Sequence, residues 1–233
     1  MPGSRRMALD QTTSQRVAMS TIRQFSLSTI ADHGAEGPRG HGEGGPATKL
    51  VIVGYGFWIF LLSDIVMFSA FFAAHAVLQT ATDGGPAGRE LLSIRNVALE
   101  TACLLLSSFT CGFIAVGAET KRMAWTLAAL AATGLLGLIF IVLEIREFIE
   151  LISAGAGPQR SAFLSSFFAL VGCHGAHVCV GILWLGTMMA QLYVKGFRED
   201  ILRRLLCFNL FWHMLDIVWI AIFTLVYLAG EAQ

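Results

Sequence analysis

From Val51 to Leu78 the chain reads VIVGYGFWIFLLSDIVMFSAFFAAHAVL. A helix needs about 20 predominantly apolar residues to cross the hydrocarbon core of a bilayer, so this run predicts a transmembrane helix. Asp64 lies near its middle, and an ionisable group at that depth costs roughly 2.5 to 3.5 kcal/mol. The sequence therefore predicts a polar partner or a functional role for Asp64.

The composition also indicates a membrane protein. Of 233 residues, 55% are hydrophobic and 14% charged, and the mean hydropathy is +0.67. These values are typical of an integral membrane protein. The 16 basic and 16 acidic residues balance, which argues against nucleic acid as a partner. The five cysteines form no CxxC pair, and we interpret them as small apolar residues.

The predicted fold is all-α, an integral membrane bundle of five transmembrane helices. The apolar runs are continuous rather than alternating, which excludes a barrel of strands. The spans run approximately from Leu50 to Leu78, Val97 to Ala118, Met123 to Leu143, Ala162 to Met189 and Leu205 to Ala229.

The basic residues predict the orientation of the bundle. Those expected on the side of the N-terminus are Lys49, Lys121, Arg122, Lys195, Arg198, Arg203 and Arg204, whereas the other side has Arg89, Arg95, Arg146 and Arg160. Because basic loops remain on the cytoplasmic side, the N-terminus is predicted to be cytoplasmic and the C-terminus external.

Residues 1–49 are predicted to form a flexible cytoplasmic tail, and residues 50–233 the transmembrane domain. The tail is rich in Gly and Pro and lacks the apolar core of a signal peptide. His33 and His41 lie in it without further ligands nearby, so a metal site there is not predicted.

Polar side chains inside the predicted spans are the candidate functional residues. They are Asp64, Glu100, Glu144, Glu147, His174, His177, His213 and Asp216. Spacings of three place His174 with His177, and His213 with Asp216, on one helix face, so each pair is expected to point into the bundle together. Glu144 and Glu147 are expected to lie at the end of the third span. Since burial disfavours the charged forms, the lowest-cost arrangement is a neutral hydrogen-bond network between helices.

Three interpretations of this set remain open from the residues alone. The histidines could ligate haem or copper, for which imidazole is a suitable ligand. The acids could form a proton or ion path through a transporter, although neither inverted repeats nor broken helices are visible. The residues could instead join helices, each hydrogen bond contributing about 0.6 to 2 kcal/mol.

Five motifs resemble subunit III of the haem-copper terminal oxidases. They are GFWIFLLSD ending at Asp64, ETACLLLSS from Glu100, EIREF from Glu144, GPQRSAFLSSFFALVGCHGAH ending at His177, and FWHMLDIVW from Phe211 to Trp219. The resemblance extends from about Gly54 to Gly230. The number of spans and the sequences of these motifs are most similar to the five-span ubiquinol oxidase type, cytochrome o ubiquinol oxidase subunit III. Asp64 stands where seven-span relatives more commonly have glutamate.

The resemblance implies a non-catalytic subunit of a proton-pumping quinol:oxygen oxidoreductase in the bacterial inner membrane. The chain itself would carry no haem or copper, which are expected in the partner subunit I. It would pack on subunit I beside subunits II and IV, bind phospholipid, and support assembly, sustained turnover and oxygen access.

The resemblance also assigns residues. Asp64 would face subunit I, while Glu147, His174, His177, His213 and Asp216 occupy polar positions between helices. Trp212 and Trp219 are candidate lipid contacts, or they fill the bundle. The alternatives are a cytochrome c oxidase subunit III, an accessory protein of a nitric oxide reductase, and a free-standing proton-coupled transporter that uses Asp64, Glu100 and Asp216.

Overall fold

The computed structural model describes residues 49–82 and 94–228, and within them the chain forms five long helices. They are α1 (Lys49–Leu78), α2 (Ile94–Glu119), α3 (Met123–Ser153), α4 (Ala162–Lys195) and α5 (Glu199–Ile222). A π-helical turn, Phe223–Leu228, continues α5. All five helices, α5 together with this turn, are long and apolar enough to cross a membrane. The predicted fold class is confirmed, whereas residues 1–48 of the predicted tail lie outside the described residues.

Three helices extend six residues or more beyond the predicted apolar runs. α3 continues beyond Leu143 to Ser153, α4 continues to Lys195, and α5 begins at Glu199. Apolar composition marks only the part of a helix that lies in hydrocarbon, whereas backbone hydrogen bonding continues through the charged residues at its ends. The prediction that Glu144 and Glu147 lie at the end of this helix was wrong, because α3 continues to Ser153.

α5 lies at the centre of the bundle and α1 at its edge. In the most apolar window of each, 56% of residues are buried in α5 with its π-helical turn and 11% in α1. α1 packs against α4 and α5 through fully buried side chains such as Leu61 and Phe68. The imidazole of His75 also shares a 3.0 Å hydrogen bond with the Ser166 hydroxyl of α4. α1 is therefore attached along one face, and its other faces are apolar and exposed.

α2 and α3 form a tight antiparallel hairpin. Lys121 turns the chain with a φ of 52°, and the Arg122 N–H donates to the carbonyl of Gly117. A Cβ on Gly117 would lie 2.6 Å from the Thr126 hydroxyl oxygen, so glycine permits this close approach. The hairpin brings the polar residues of α2 against those of α3.

Candidate functional site

Trp212 of α5 is buried between the helices and is 2% exposed. Its indole N–H donates to the Ser107 hydroxyl of α2 at 3.1 Å. A Cβ on Gly137 of α3 or on Gly181 of α4 would come within 2.9 Å of the indole ring. Two glycines thus leave the space that this ring fills, and the indole joins α2, α3 and α4 to α5.

Trp219, two turns further along α5, has the same kind of environment. It is fully buried, and its N–H donates to the Thr101 hydroxyl of α2 at 3.0 Å. Two roles were open for the indoles from the sequence, lipid contact and packing. The structure describes packing for both, because Trp212 and Trp219 are enclosed by protein.

His174 of α4 is fully buried between two aromatic rings. The ring centroids of Trp219 and Phe140 lie 5.1 Å and 5.7 Å from that of the imidazole. Its Nε2–H donates to the carbonyl of Leu215 at 3.2 Å, and Nδ1 has no partner among the described residues. A neutral imidazole that donates from Nε2 has Nδ1 as an acceptor. His174 therefore links α4 to the backbone of α5.

His213 and Asp216 of α5 lie beside one hydroxyl of α2. Ser108 shares a 2.7 Å hydrogen bond with His213 Nδ1 and also lies next to the Asp216 carboxyl. Asp216 is buried, and its Oδ1 has no partner among the described residues. The structure thus brings His213 and Asp216 together, and it adds Ser108, which the sequence analysis did not select.

Three glutamates form a second group, which we call the carboxyl cluster: Glu100, Glu144 and Glu147. Glu100 comes from α2 and the other two from α3, and all three are buried. The Tyr227 hydroxyl of the π-helical turn donates to Glu147 Oε2 at 3.4 Å. The Glu144 carboxyl packs on Gly175 of α4, where a Cβ would lie 2.6 Å from its Oε1.

Asp64 does not join this buried set. It is half-buried and lines a cleft of about 330 Å³ between α1, α4 and α5, which we call the Asp64 cleft. The other lining residues are aromatic or apolar apart from one imidazole: Phe57, Phe60, Ala176, His177, Val180, Trp184 and Phe211. The His177 Nδ1–H donates to the Cys173 carbonyl of its own helix at 2.8 Å.

His174 and His177 consequently occupy different environments, contrary to the expectation that both point into the bundle. A helix turns about 100° per residue, so positions i and i+3 differ by about 60° around its axis. On α4 this difference places His174 inside the bundle and His177 at the edge of the Asp64 cleft.

Several polar partners were missed in the sequence. They are Thr101, Ser107, Ser108, Tyr227 and the pair of His75 and Ser166. A hydroxyl in a transmembrane helix can satisfy itself on its own backbone, as Thr187 does on the carbonyl of Trp184. Nothing in the sequence therefore distinguishes a self-satisfied hydroxyl from one that binds another helix.

The imidazoles do not share a common centre. His174 donates to Leu215, His177 to Cys173, and His213 pairs with Ser108. Within the part of the chain that the structure describes, no group of three or more His, Cys, Asp or Glu side chains is arranged to hold a metal ion. The contacts of His174 and His213 are hydrogen bonds between helices, whereas that of His177 lies within α4.

Fold and contacts together define a multi-pass helical membrane protein whose buried polar groups bind its own helices to one another. Comparison with known proteins narrows this class. The family model for cytochrome c oxidase subunit III matches residues 26–231, and the chain belongs to that family.

The chain is similar to oxidase subunits from several bacteria. Cytochrome bo(3) ubiquinol oxidase subunit 3 of Pseudomonas aeruginosa is 49% identical over 176 residues, which cover 76% of this chain and 84% of that protein. The protein of the same name from Pseudomonas putida is 48% identical over 75% of this chain and 84% of the relative. Quinol oxidase subunit 3 of Bacillus subtilis is 44% identical over 75% of this chain and 86% of the relative.

Proposed function

We propose that this chain is the non-catalytic subunit III of a proton-pumping haem-copper quinol oxidase in a bacterial inner membrane. The observation that carries the proposal is the 49% identity to a ubiquinol oxidase subunit 3 across 84% of that protein. Haem and copper would be held by the partner subunit I, and this chain would act by packing against it. Subunits II and IV are the further proposed partners.

The exposed side of α1 supports a role in assembly. Tyr55, Trp58 and Val66 are 68%, 43% and 69% exposed, and they lie on the same helix as Asp64. An apolar surface alone suits lipid as well as protein, but a carboxyl group inside the membrane is costly without a partner. We infer that a hydrogen-bond donor of subunit I pairs with Asp64 in the Asp64 cleft.

The proposed role in oxygen access is supported by the aromatic and apolar lining of the Asp64 cleft. Dioxygen is apolar and dissolves in hydrocarbon, so an aromatic-lined cleft filled by acyl chains would concentrate it beside the partner subunit. Bound phospholipid is therefore part of the proposal. The positions of the basic residues support a cytoplasmic N-terminus and an external C-terminus.

Co-purification tests the proposal directly. A tag on this chain should recover a complex that shows haem spectra and oxidises ubiquinol rather than reduced cytochrome c. The same complex stripped of this chain should retain its haem spectrum and its initial oxygen consumption. Recovery of the chain alone, or loss of the spectrum from an otherwise intact complex, would contradict the assignment.

Asp64→Ala should weaken the attachment of this chain to its partner by about 3- to 30-fold, as expected for loss of an interhelical bond of about 0.6 to 2 kcal/mol. Initial turnover should persist, whereas the number of turnovers before inactivation should fall. Both quantities are measurable on purified complex by subunit retention and by progress curves of oxygen consumption.

Ser63→Ala is a matched control, because that hydroxyl is exposed and donates to the Phe60 carbonyl of its own helix. It should leave attachment and durability unchanged. An Asp64→Ala complex that assembles normally and has zero turnover would assign Asp64 to the chemistry instead.

A further inference from the structure

The carboxyl cluster has an unusual combination of burial and missing partners. Glu100, Glu144 and Glu147 are 1%, 3% and 7% exposed. Each has one buried oxygen without a hydrogen-bond partner among the described residues, namely Glu100 Oε2, Glu144 Oε2 and Glu147 Oε1. The ion pairs found in the described residues, between Arg203 and the acids Glu199 and Asp200, do not include them.

A cavity lies next to the cluster. It has a volume of about 120 Å³ and is lined by Asn96, Leu99, Glu100, Leu143, Arg146, Glu147 and Glu150. One water molecule needs about 10 to 15 Å³ of such space, so several fit. Glu100 and Glu147, both more than nine-tenths buried, line the cavity and have unpartnered oxygens.

Physical chemistry restricts what can occupy this place. Three ionised carboxylates close together in a medium of low dielectric constant repel one another, and each also loses its hydration. A metal ion could compensate for the charge, but these side chains are not arranged as a metal-binding group. Protons remove the charge, and water supplies both the donors and the acceptors that the free oxygens need.

We propose that the carboxyl cluster is a hydrated proton-binding site, in which Glu100 and Glu147 share protons through water in the adjoining cavity and Glu144 beside them also holds a proton. The cavity lies where α2 begins and α3 ends, so protons exchange with the aqueous phase on the side opposite the start of α1. The titratable and charged groups around the cluster are Cys103 on α2, Arg146 and Glu150 on α3, Cys179 on α4 and Tyr227 on the π-helical turn. This inference does not depend on the proposed function.

Infrared spectroscopy of the protein, purified with its natural partners in lipid, tests the proposal. A protonated carboxyl group has a C=O stretching band that an ionised carboxylate lacks, and the band moves to lower frequency when deuterium replaces the proton. At neutral pH the spectrum of the unmodified protein minus that of Glu100→Gln should contain such a band. The band should shift after transfer to D2O, which shows that water reaches the site.

Glu150→Gln is the matched control, since Glu150 lines the same cavity but is exposed. The Glu150→Gln protein should retain the deuterium-sensitive C=O band that the Glu100→Gln protein loses. The proposal is overturned if Glu100→Gln removes only ionised-carboxylate absorption, or if its band does not move after prolonged exposure to D2O.

A second measurement covers the case in which Glu100→Gln does not assemble. In the unmodified protein, protonated-carboxyl absorption that exchanges with D2O should decrease as the pH is raised. It should not change with added Na⁺, K⁺ or Ca²⁺ at neutral pH. Absorption that is absent at neutral pH, or that any of these cations removes, would identify an ionised or cation-binding cluster and overturn the proposal.

Discussion

Trp212→Ala is expected to destabilise the bundle by about 3 to 5 kcal/mol, the range for removal of a large buried aromatic side chain. The indole fills the space that Gly137 and Gly181 leave open, so its removal creates a cavity where α3, α4 and α5 meet. It also leaves the Ser107 hydroxyl without its donor. Thermal unfolding of the protein in detergent or lipid would measure the loss.

Two further variants show whether the loss of stability comes from the buried ring volume or from the N–H. Trp212→Phe retains most of the ring volume and removes the N–H, so it should cost less than the alanine variant. Trp125→Ala removes an indole that is 59% exposed and should have little effect. Equal losses of stability from Trp212→Ala and Trp125→Ala would show that the burial of Trp212 does not stabilise the bundle.

Gly175→Val should prevent α4 from docking normally on α3. A Cβ at this position would lie 2.6 Å from Glu144 Oε1 and 2.9 Å from Oε2, well inside contact distance. Overpacking of this kind usually costs about 1 to 3 kcal/mol, and here a buried carboxyl group must also be displaced. The yield of folded protein and its melting temperature in lipid should both fall.

Gly186→Val on the same helix controls for the effect of a β-branched residue on helix propensity. A Cβ there meets nothing within 4 Å, so this variant should remain near the stability of the unmodified protein. Combining Gly175→Val with Glu144→Ala should recover part of the loss, since the clashing carboxyl is then absent. No recovery in the double variant would refute the assigned contact.

The five helices could be predicted from the sequence because lipid leaves few solutions for the backbone. An apolar run of about 20 residues satisfies its own peptide groups only as a helix, whatever its neighbours are. The helix ends were less predictable, as the extension of α3 to Ser153 illustrates. Beyond the hydrocarbon region, composition no longer indicates whether the helix continues.

Which polar residues lie together could be predicted only partly from the sequence. Spacing along α5 suggested one face for His213 and Asp216, but the Ser108 hydroxyl beside which both lie comes from α2. The split between His174 and His177 depends on how α4 is rotated against its neighbours. That rotation follows from contacts such as Gly181 with Trp212, which join residues distant in the chain.

The sequence alone determined that this protein is a membrane bundle of five helices with acids and imidazoles inside it, since hydropathy and length are local properties. Only the tertiary structure decided that Glu100 and Glu147 line one cavity while Asp64 lies apart in a cleft at the edge. Which polar groups meet depends on the rotation and tilt of each helix. Side-chain packing between helices sets both, and no single segment encodes it.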